Sequence, residues 1–374
     1  MSEKSRNKFE KLFDLLLKQQ IPFVACKFQR GTAIQVFIQA ESFPEKLRSL
    51  EDLGNKRGFV VSPFHLSSHH PVVFMQPDLI LTGENINNDI FSYLSGNKRF
   101  VNISQEKNIC QTTSQEEFIS NIEKIISGIE LHQFQKVVLS KIQVNPIPKK
   151  FDKSVFFLKL CEKYPSAMVY LLQIPEVGCW AGATPESLLI STDKFAKTMS
   201  IAGTQKSTGK AIDAYRWGEK EIEEQNFVTD FVENTLRKAG IRDNTKVGPV
   251  NLQAGNLIHL QTKFKFEVLE YQNRVGSLVS ALHPTPATGG VPKERSIDFL
   301  LKNEKHDRSY YAGFLGTVDI NNATNLFVNL RCVRFFEDEY VLYSGAGITS
   351  SSIADDEWEE TENKMETMKA VILG

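Results

Sequence analysis

Lys136 opens the run Lys136-Val137-Val138-Leu139-Ser140-Lys141. A lysine there either ends a strand at solvent or points into a site where desolvation favours a neutral, basic amine. From the residues alone, the solvent-exposed end is the plainer reading. Glu186 stands between Pro185 and the apolar pair Leu188-Leu189, after the small residues Ala181, Gly182, Ala183 and Thr184. Small residues let a ligand approach the backbone closely, and a carboxyl in apolar surroundings keeps its proton and can act as a general acid. A solvated turn glutamate is again the plainer alternative.

Two further segments carry carboxylates toward apolar faces. Within residues 219–237, Glu223 and Glu224 lead into Phe227, Val228, Phe231 and Val232 at helical spacing. Further on, Glu357, Glu360 and Lys364 share one helical face with Met368 and Val371, and Asp355 or Asp356 can cap that helix. Glutamates from two helices offer only oxygen. That suits Mg2+, which keeps several waters and bridges to an anionic substrate. A Glu360–Lys364 surface pair is the alternative.

Tyr343-Ser344-Gly345-Ala346-Gly347-Ile348 can present several backbone N–H groups to a carboxylate. Ile201-Ala202-Gly203-Thr204 offers the same beside a hydroxyl. Arg331, between Leu330 and Cys332, needs an anionic partner, and a substrate carboxylate bound by two N–H groups would serve. His65, His69 and His70 cluster without Cys or carboxylates at ligand spacing, and read as surface or core histidines rather than a metal site.

The elements that must hold these groups show in the periodicities. Phe9, Leu12, Phe13, Leu16 and Leu17 share one face of an opening helix. Val24–Phe28 and Ala33–Ile38 flank a turn at Arg30-Gly31 and read as a β-hairpin. Short strands near Gly58–Pro63, Val72–Met75 and Leu79–Thr82 make the first part β-rich. Ser114-Gln115-Glu116-Glu117 then caps a helix through Ile119, Ile122, Ile125, Ile126 and Ile129. The Lys136 strand follows, then a helix near Ser154–Lys163 and strands at Ala167–Gln173 and Gly178–Ala181. Without strict βαβ alternation or a glycine-rich phosphate loop, the pattern predicts α+β with large antiparallel sheets.

The composition, 41% hydrophobic and 24% charged, is that of a soluble globular protein. Lys plus Arg (44) nearly balances Asp plus Glu (45), so no global field argues for nucleic acid or an anionic membrane. An anionic substrate must be held by local groups. No signal-peptide run or bilayer-length apolar segment is evident. Cys26, Cys110, Cys161, Cys179 and Cys332 are scattered, form no CxxC pair, and read as buried reduced thiols of a cytoplasmic protein.

Each signal is weak alone; their ordered company is specific. From about Phe118 onward the chain resembles the chorismate-utilising enzymes, the family of isochorismate, anthranilate, aminodeoxychorismate and salicylate synthases. The resemblance rests on Lys136–Ser140, Gly182–Glu186, Ile201–Thr204, Glu223–Val228 and Leu282-His283-Pro284-Thr285-Pro286-Ala287. It continues through Asp307–Gly313, Leu330-Arg331-Cys332, Gly345-Ala346-Gly347 and Glu357–Lys364.

The resemblance implies two subdomains with large facing β-sheets flanked by helices, and a site in the cleft between them. Residues 1–110 would be the N-terminal β-rich part of that fold and 111–374 the chorismate-binding catalytic region. Lys136 would be the base that activates water and Glu186 the acid for the departing C4 hydroxyl. Glu224 and Glu360 would hold Mg2+. Arg331, Lys364 and the amides at Gly203, Gly345 and Gly347, with Thr204 alongside, would hold substrate carboxylates.

The family often has Glu-His-Glu where this chain reads Glu224-Gln225-Asn226, which bears on the outer metal shell. His283–Gly290 lacks the Pro-x-Gly-Thr-Val-Ser-Gly-Ala-Pro-Lys block of ammonia-using anthranilate synthases, so no glutaminase subunit is expected. The resemblance thus implies a monomeric, Mg2+-dependent isochorismate synthase serving menaquinone formation, with siderophore formation as another outlet. A salicylate synthase and a non-catalytic protein that binds a chorismate-like metabolite are the alternatives.

Overall fold

Successive residues of a strand point to opposite faces, and many strands of this chain are apolar on both. In the computed structural model, which describes all residues except 1, 30, 32, 97–109, 255–256 and 272–273, that property produces stacked layers. The elements begin with α1 (Glu3–Gln19), β1 (Phe23–Lys27), β2 (Gln35–Ile38), β3 (Glu45–Leu47), β4 (Gly58–Ser62), β5 (Val72–Met75), β6 (Leu79–Thr82) and α2 (Asn88–Gly96). Next come α3 (Gln115–Glu130), β7 (Lys136–Pro146), α4 (Lys153–Lys163), β8 (Met168–Ile174), β9 (Gly178–Thr184), β10 (Ser187–Ser191), β11 (Phe195–Lys206) and α5 (Glu219–Lys238). The chain continues through β12 (Asn244–Ala254), β13 (Leu257–Glu267), α6 (Val275–Leu282), β14 (Gly290–Val291) and α7 (Lys293–Asn303). It ends with β15 (Phe314–Ile320), β16 (Ala323–Val328), β17 (Cys332–Phe335), β18 (Glu339–Ile348) and α8 (Ala354–Ile372).

Two antiparallel nine-stranded sheets result. Their orders are β14-β7-β18-β17-β9-β8-β1-β2-β6 and β12-β13-β11-β10-β16-β15-β4-β5-β3. The early strands divide between them, with β1, β2 and β6 in the first and β3, β4 and β5 in the second. The expected hairpin forms, with Val24 opposite Phe37, although Arg30 of its turn lies outside the described residues.

Alternation sorts side chains into three cores. On β8, Val169 and Leu171 join the α1, α4 and α8 side of the first sheet. Met168, Tyr170 and Leu172 face the second sheet instead, meeting Phe59 and Val61 of β4. On that strand Val60 points the other way, toward Val232 and Leu236 of α5 and Leu278 of α6. Both sheets are therefore sandwiched, which explains their nearly continuous apolar strands. Each fully buried large apolar side chain contributes about 1.5–3 kcal/mol of transfer free energy.

Details depart from the sequence expectations. In α3, Phe118, Asn121, Ile122, Ile125 and Gly128 are buried, while Ile119, Ile126 and Ile129 are only half-buried. Ser114 Oγ does cap that helix by accepting from the Glu117 N–H at 3.2 Å. At α8 the cap position is Ile353, so neither Asp355 nor Asp356 caps it. Both lie in its first turn, where acidic charge suits the helix dipole. His65 and His69 are exposed, and His70 bonds Asp307 Oδ2 at 2.6 Å. Four cysteines are buried, whereas Cys110 is half-buried. Among the described residues no helix is long and apolar enough to cross a membrane.

Leu171, fully buried in the first core, offers a test of this layering. Leu171→Ala is expected to cost about 2–5 kcal/mol in denaturant unfolding. Ile80→Ala, on edge strand β6 at 43% exposure, is expected to change stability by about 0.5 kcal/mol or less.

Candidate active site

The register of two strands places the first charged group. β7 and β18 pair with Val138 opposite Gly347 and Ser140 opposite Gly345. Lys136, two residues before Val138, shares its face and is 1% exposed. Its Nζ lies 2.9 Å from Glu224 Oε1 of α5. A Cβ on Gly347 would fall 2.2 Å from that same oxygen and 2.9 Å from Lys136 Cε, so only glycine leaves room for the pair. The other Glu224 oxygen accepts the Gly203 N–H at 3.1 Å. Gly203 can offer it because β11 bulges against β13 between Ala202 and Gln205, with Gly203 at φ 67°. Burial opposes charge on Glu224, yet the Lys136 ammonium holds its carboxyl below the usual range.

Glu186 occupies the tight link between β9 and β10 at 4% exposure. Its N–H donates to Thr184 Oγ1 at 3.3 Å, and its carbonyl accepts from the Val328 N–H at 3.0 Å. Burial lifts its carboxyl to about 7, against the pull of Lys136 and Lys364. Glu186 is thus poised to hold a proton near neutrality while Glu224 is ionised.

On the facing wall, Lys364 of α8 donates to Glu360 Oε1 at 2.6 Å and to the Gly345 carbonyl at 2.9 Å. Arg331, at φ 49°, donates through Nη1 to Thr367 Oγ1 at 3.2 Å. Its Nη2 lies 3.3 Å from His259 Nε2 on β13. His259 Nδ1 lies 2.9 Å from the Gly203 carbonyl, which can only accept. The ring therefore carries its proton on Nδ1 and accepts from Arg331 on Nε2. Burial, then Arg331 and Lys364, pull His259 down to about 3 and keep it neutral. Sequence reasoning missed His259, since a histidine in Leu257-Ile258-His259-Leu260 reads as core.

These groups line one cleft between the sheets. Glu186, Gly203, Thr204, Glu224, Arg331, Gly345, Gly347 and Lys364 all border it. Lys136 and Glu360 reach it through their bonds to Glu224 and Lys364. Behind the wall, Arg308 donates to the carbonyls of Val138 (2.6 Å) and Thr288 (2.7 Å) and pairs with Glu304. Glu304 in turn accepts from the Ser140 N–H at 2.7 Å. This buried network braces the cleft side of β7 and gives Arg308 of the Asp307–Gly313 block its structural part.

The donor chemistry fits Mg2+. Among the described residues no three His, Cys, Asp or Glu side chains form a closed metal cluster. Three carboxylates at or near the cleft supply oxygen: Glu224 from α5, and Glu357 and Glu360 from α8, each paired with a lysine. Burial, then the neighbouring Glu360, push Glu357 up to about 7. A cation that binds through one or two carboxylates and keeps its waters would relieve that crowding. The Gln225-Asn226 departure does not reach Glu224. Gln225 points to Ser200, Thr229 and Thr262, with its Nε2 3.0 Å from Ser200 Oγ, and Asn226 is exposed.

The sequence pattern of the chorismate-binding enzymes matches residues 10–373, and the chain belongs to that family. The isochorismate synthase EntC of Escherichia coli (strain K12) is 26% identical over 274 residues, covering 72% of this chain and 69% of the relative. The fold is that of MenF, the menaquinone-specific isochorismate synthase from E. coli, at TM-score 0.77 and 17% identity, covering 100% of this chain and 91% of that one. Anthranilate synthase component I from Streptococcus pneumoniae also shares it, at TM-score 0.64 and 18% identity, covering 92% and 89%. One fold carries differently named activities, so the reaction must be argued from residues.

Gly347→Ala isolates the crowded point of the cleft. The new methyl must displace Glu224 or Lys136, both ends of flexible side chains, rather than backbone. Turnover is expected to fall by about 100-fold or more, with the melting temperature close to wild type. Paired activity and thermal-melt measurements check this.

Proposed function

We propose that this chain is an isochorismate synthase. Water adds at C2 of chorismate, the ring double bonds shift, and the C4 oxygen leaves with a proton, so substrate and product are isomers. The observation that supports this reading most is the buried Glu186, lifted to about 7, in one cleft with Lys136. An acid and a base with separate environments can hold complementary protonation states in one site.

Lys136 takes the proton of the attacking water, which requires its ammonium first to give up a proton and leave its pair with Glu224. Glu186 gives its proton to the departing C4 oxygen. Arg331, held by His259 and Thr367, grips one substrate carboxylate. Lys364 and the strand segment at Gly345–Gly347 border the other. Thr204 and His259, 3.4 Å apart, stiffen that wall. Gly203, whose N–H already serves Glu224, acts by placing that carboxylate rather than by binding substrate directly. Mg2+ held by Glu224 and Glu360 would supply the positive charge that a dianionic substrate needs in an acidic cleft. Lys136 and Glu186 carry the proton transfers without an organic cofactor. We assign the product to menaquinone formation. A deletion strain rescued by menaquinone, and not by 2,3-dihydroxybenzoate, is the result expected.

Purified protein given chorismate and Mg2+ is expected to form isochorismate, stopping short of full conversion and abolished by chelator. Salicylate with pyruvate would move it to the lyase reaction, and no product would favour a binding role. Glu186→Gln is expected to lower kcat by about 10²–10⁴-fold while chorismate still binds. The acid works only while protonated, so kcat/KM is expected to fall as pH rises through about 7. A loss near 4.5, the ordinary glutamate value, would contradict the assignment.

A further inference from the structure

A second, wider cavity of about 710 Å3 adjoins the catalytic cleft, and the two share Pro185 and Arg331. Its charged lining is one-sided. Lys163, Lys197, Lys263 and Arg331 border it, and among the described residues no Asp or Glu does. In a chain with 44 basic and 45 acidic residues, such segregation creates a strong local field. Lys163, Lys197 and Lys263 form no ion pair with a described residue, so their charge is not cancelled locally.

Strand geometry arranges these cations as a path. On β13, His259, Gln261 and Lys263 share one face; on β11, Met199 stands opposite Lys263 and Lys197 lies two residues further along the same face. Lys263 is four residues from His259, roughly 14 Å along the strand at about 3.4 Å per residue. His259 in turn contacts Arg331. A negative group therefore meets Lys197 and Lys263 outside and Arg331 at the threshold. Lys265, the next cation on the face, lies over the Phe195 ring at 3.7 Å.

We infer that this cavity is an electropositive vestibule that captures the dianionic substrate and delivers it to Arg331. Lys197 and Lys263 are its principal steering groups. The inference rests on the proposed chorismate substrate. Clefts lined by one sign of charge raise the local concentration of opposite ions, and the effect fades with ionic strength.

The test compares wild type with a Lys197→Gln/Lys263→Gln double variant across ionic strength. Steady-state kinetics are measured with chorismate and Mg2+, and equilibrium binding of chorismate is measured in a Glu186→Gln background. At low salt the double variant is expected to lose roughly 10-fold in kcat/KM, with kcat and melting temperature unchanged. At high salt the two proteins are expected to converge. Lys246→Gln on β12, whose lysine is paired with Glu233 away from the vestibule, is expected to behave as wild type. Turnover with identical kcat/KM and salt slope in wild type and double variant overturns the vestibule. No turnover, with chorismate binding that remains salt-sensitive and lysine-dependent, would retire the proposed activity and leave the vestibule standing.

Discussion

The buried pair between Lys136 and Glu224 organises the rest of the site. Taking two charges from water costs several kcal/mol each, recovered only where geometry and extra hydrogen bonds are good. Here the extra bond is the Gly203 N–H, made available by a bulge in β11. The geometry comes from the β7–β18 register, which sets Gly347 where any Cβ would strike the pair. α5 must therefore pack against one sheet while reaching across to a lysine of the other.

Glu186 gains its character from the same arrangement. It sits where the chain crosses from β9 of the first sheet to β10 of the second, enclosed by the sheets that bury the pair. Burial favours its proton, and the nearby ammonium groups temper that effect without reversing it. On the other wall, Arg331 is held at both ends of its guanidinium by Thr367 and a neutral His259. The histidine's proton is committed to a backbone carbonyl, so it orients the arginine without adding charge. The cleft thus combines one protonated acid, fixed cations and carboxylates within a low-polarity shell, where electrostatic interactions are strongest.

Much of this was legible in the sequence, and the failures have physical causes. The strand at Lys136, the helices bearing Glu224 and Glu360, and the α+β class follow from periodicity. Solvent-exposed readings of Lys136 and Glu186 do not survive, because helices cover both sheets and leave those strand ends inside. Periodicity within a single strand cannot report that covering. His259 escaped notice since its neighbours are apolar and its partners, Gly203 and Arg331, are distant in sequence. The Glu304–Arg308 network was hidden likewise, as its targets at Ser140, Val138 and Thr288 lie on other elements. The bulge that frees the Gly203 N–H and the segregated lysines of the vestibule depend on strand register, which no local pattern encodes.

The central claim is that Glu186 holds its proton at neutral pH beside an ionised Glu224. Infrared difference spectroscopy of wild type against Glu186→Gln, taken across pH, reads that proton directly. The account predicts a protonated carboxyl band, present at pH 6, that titrates away near 7 and is missing from the variant. A Glu186 signal already ionised at pH 6, titrating at the ordinary 4.5, would contradict it.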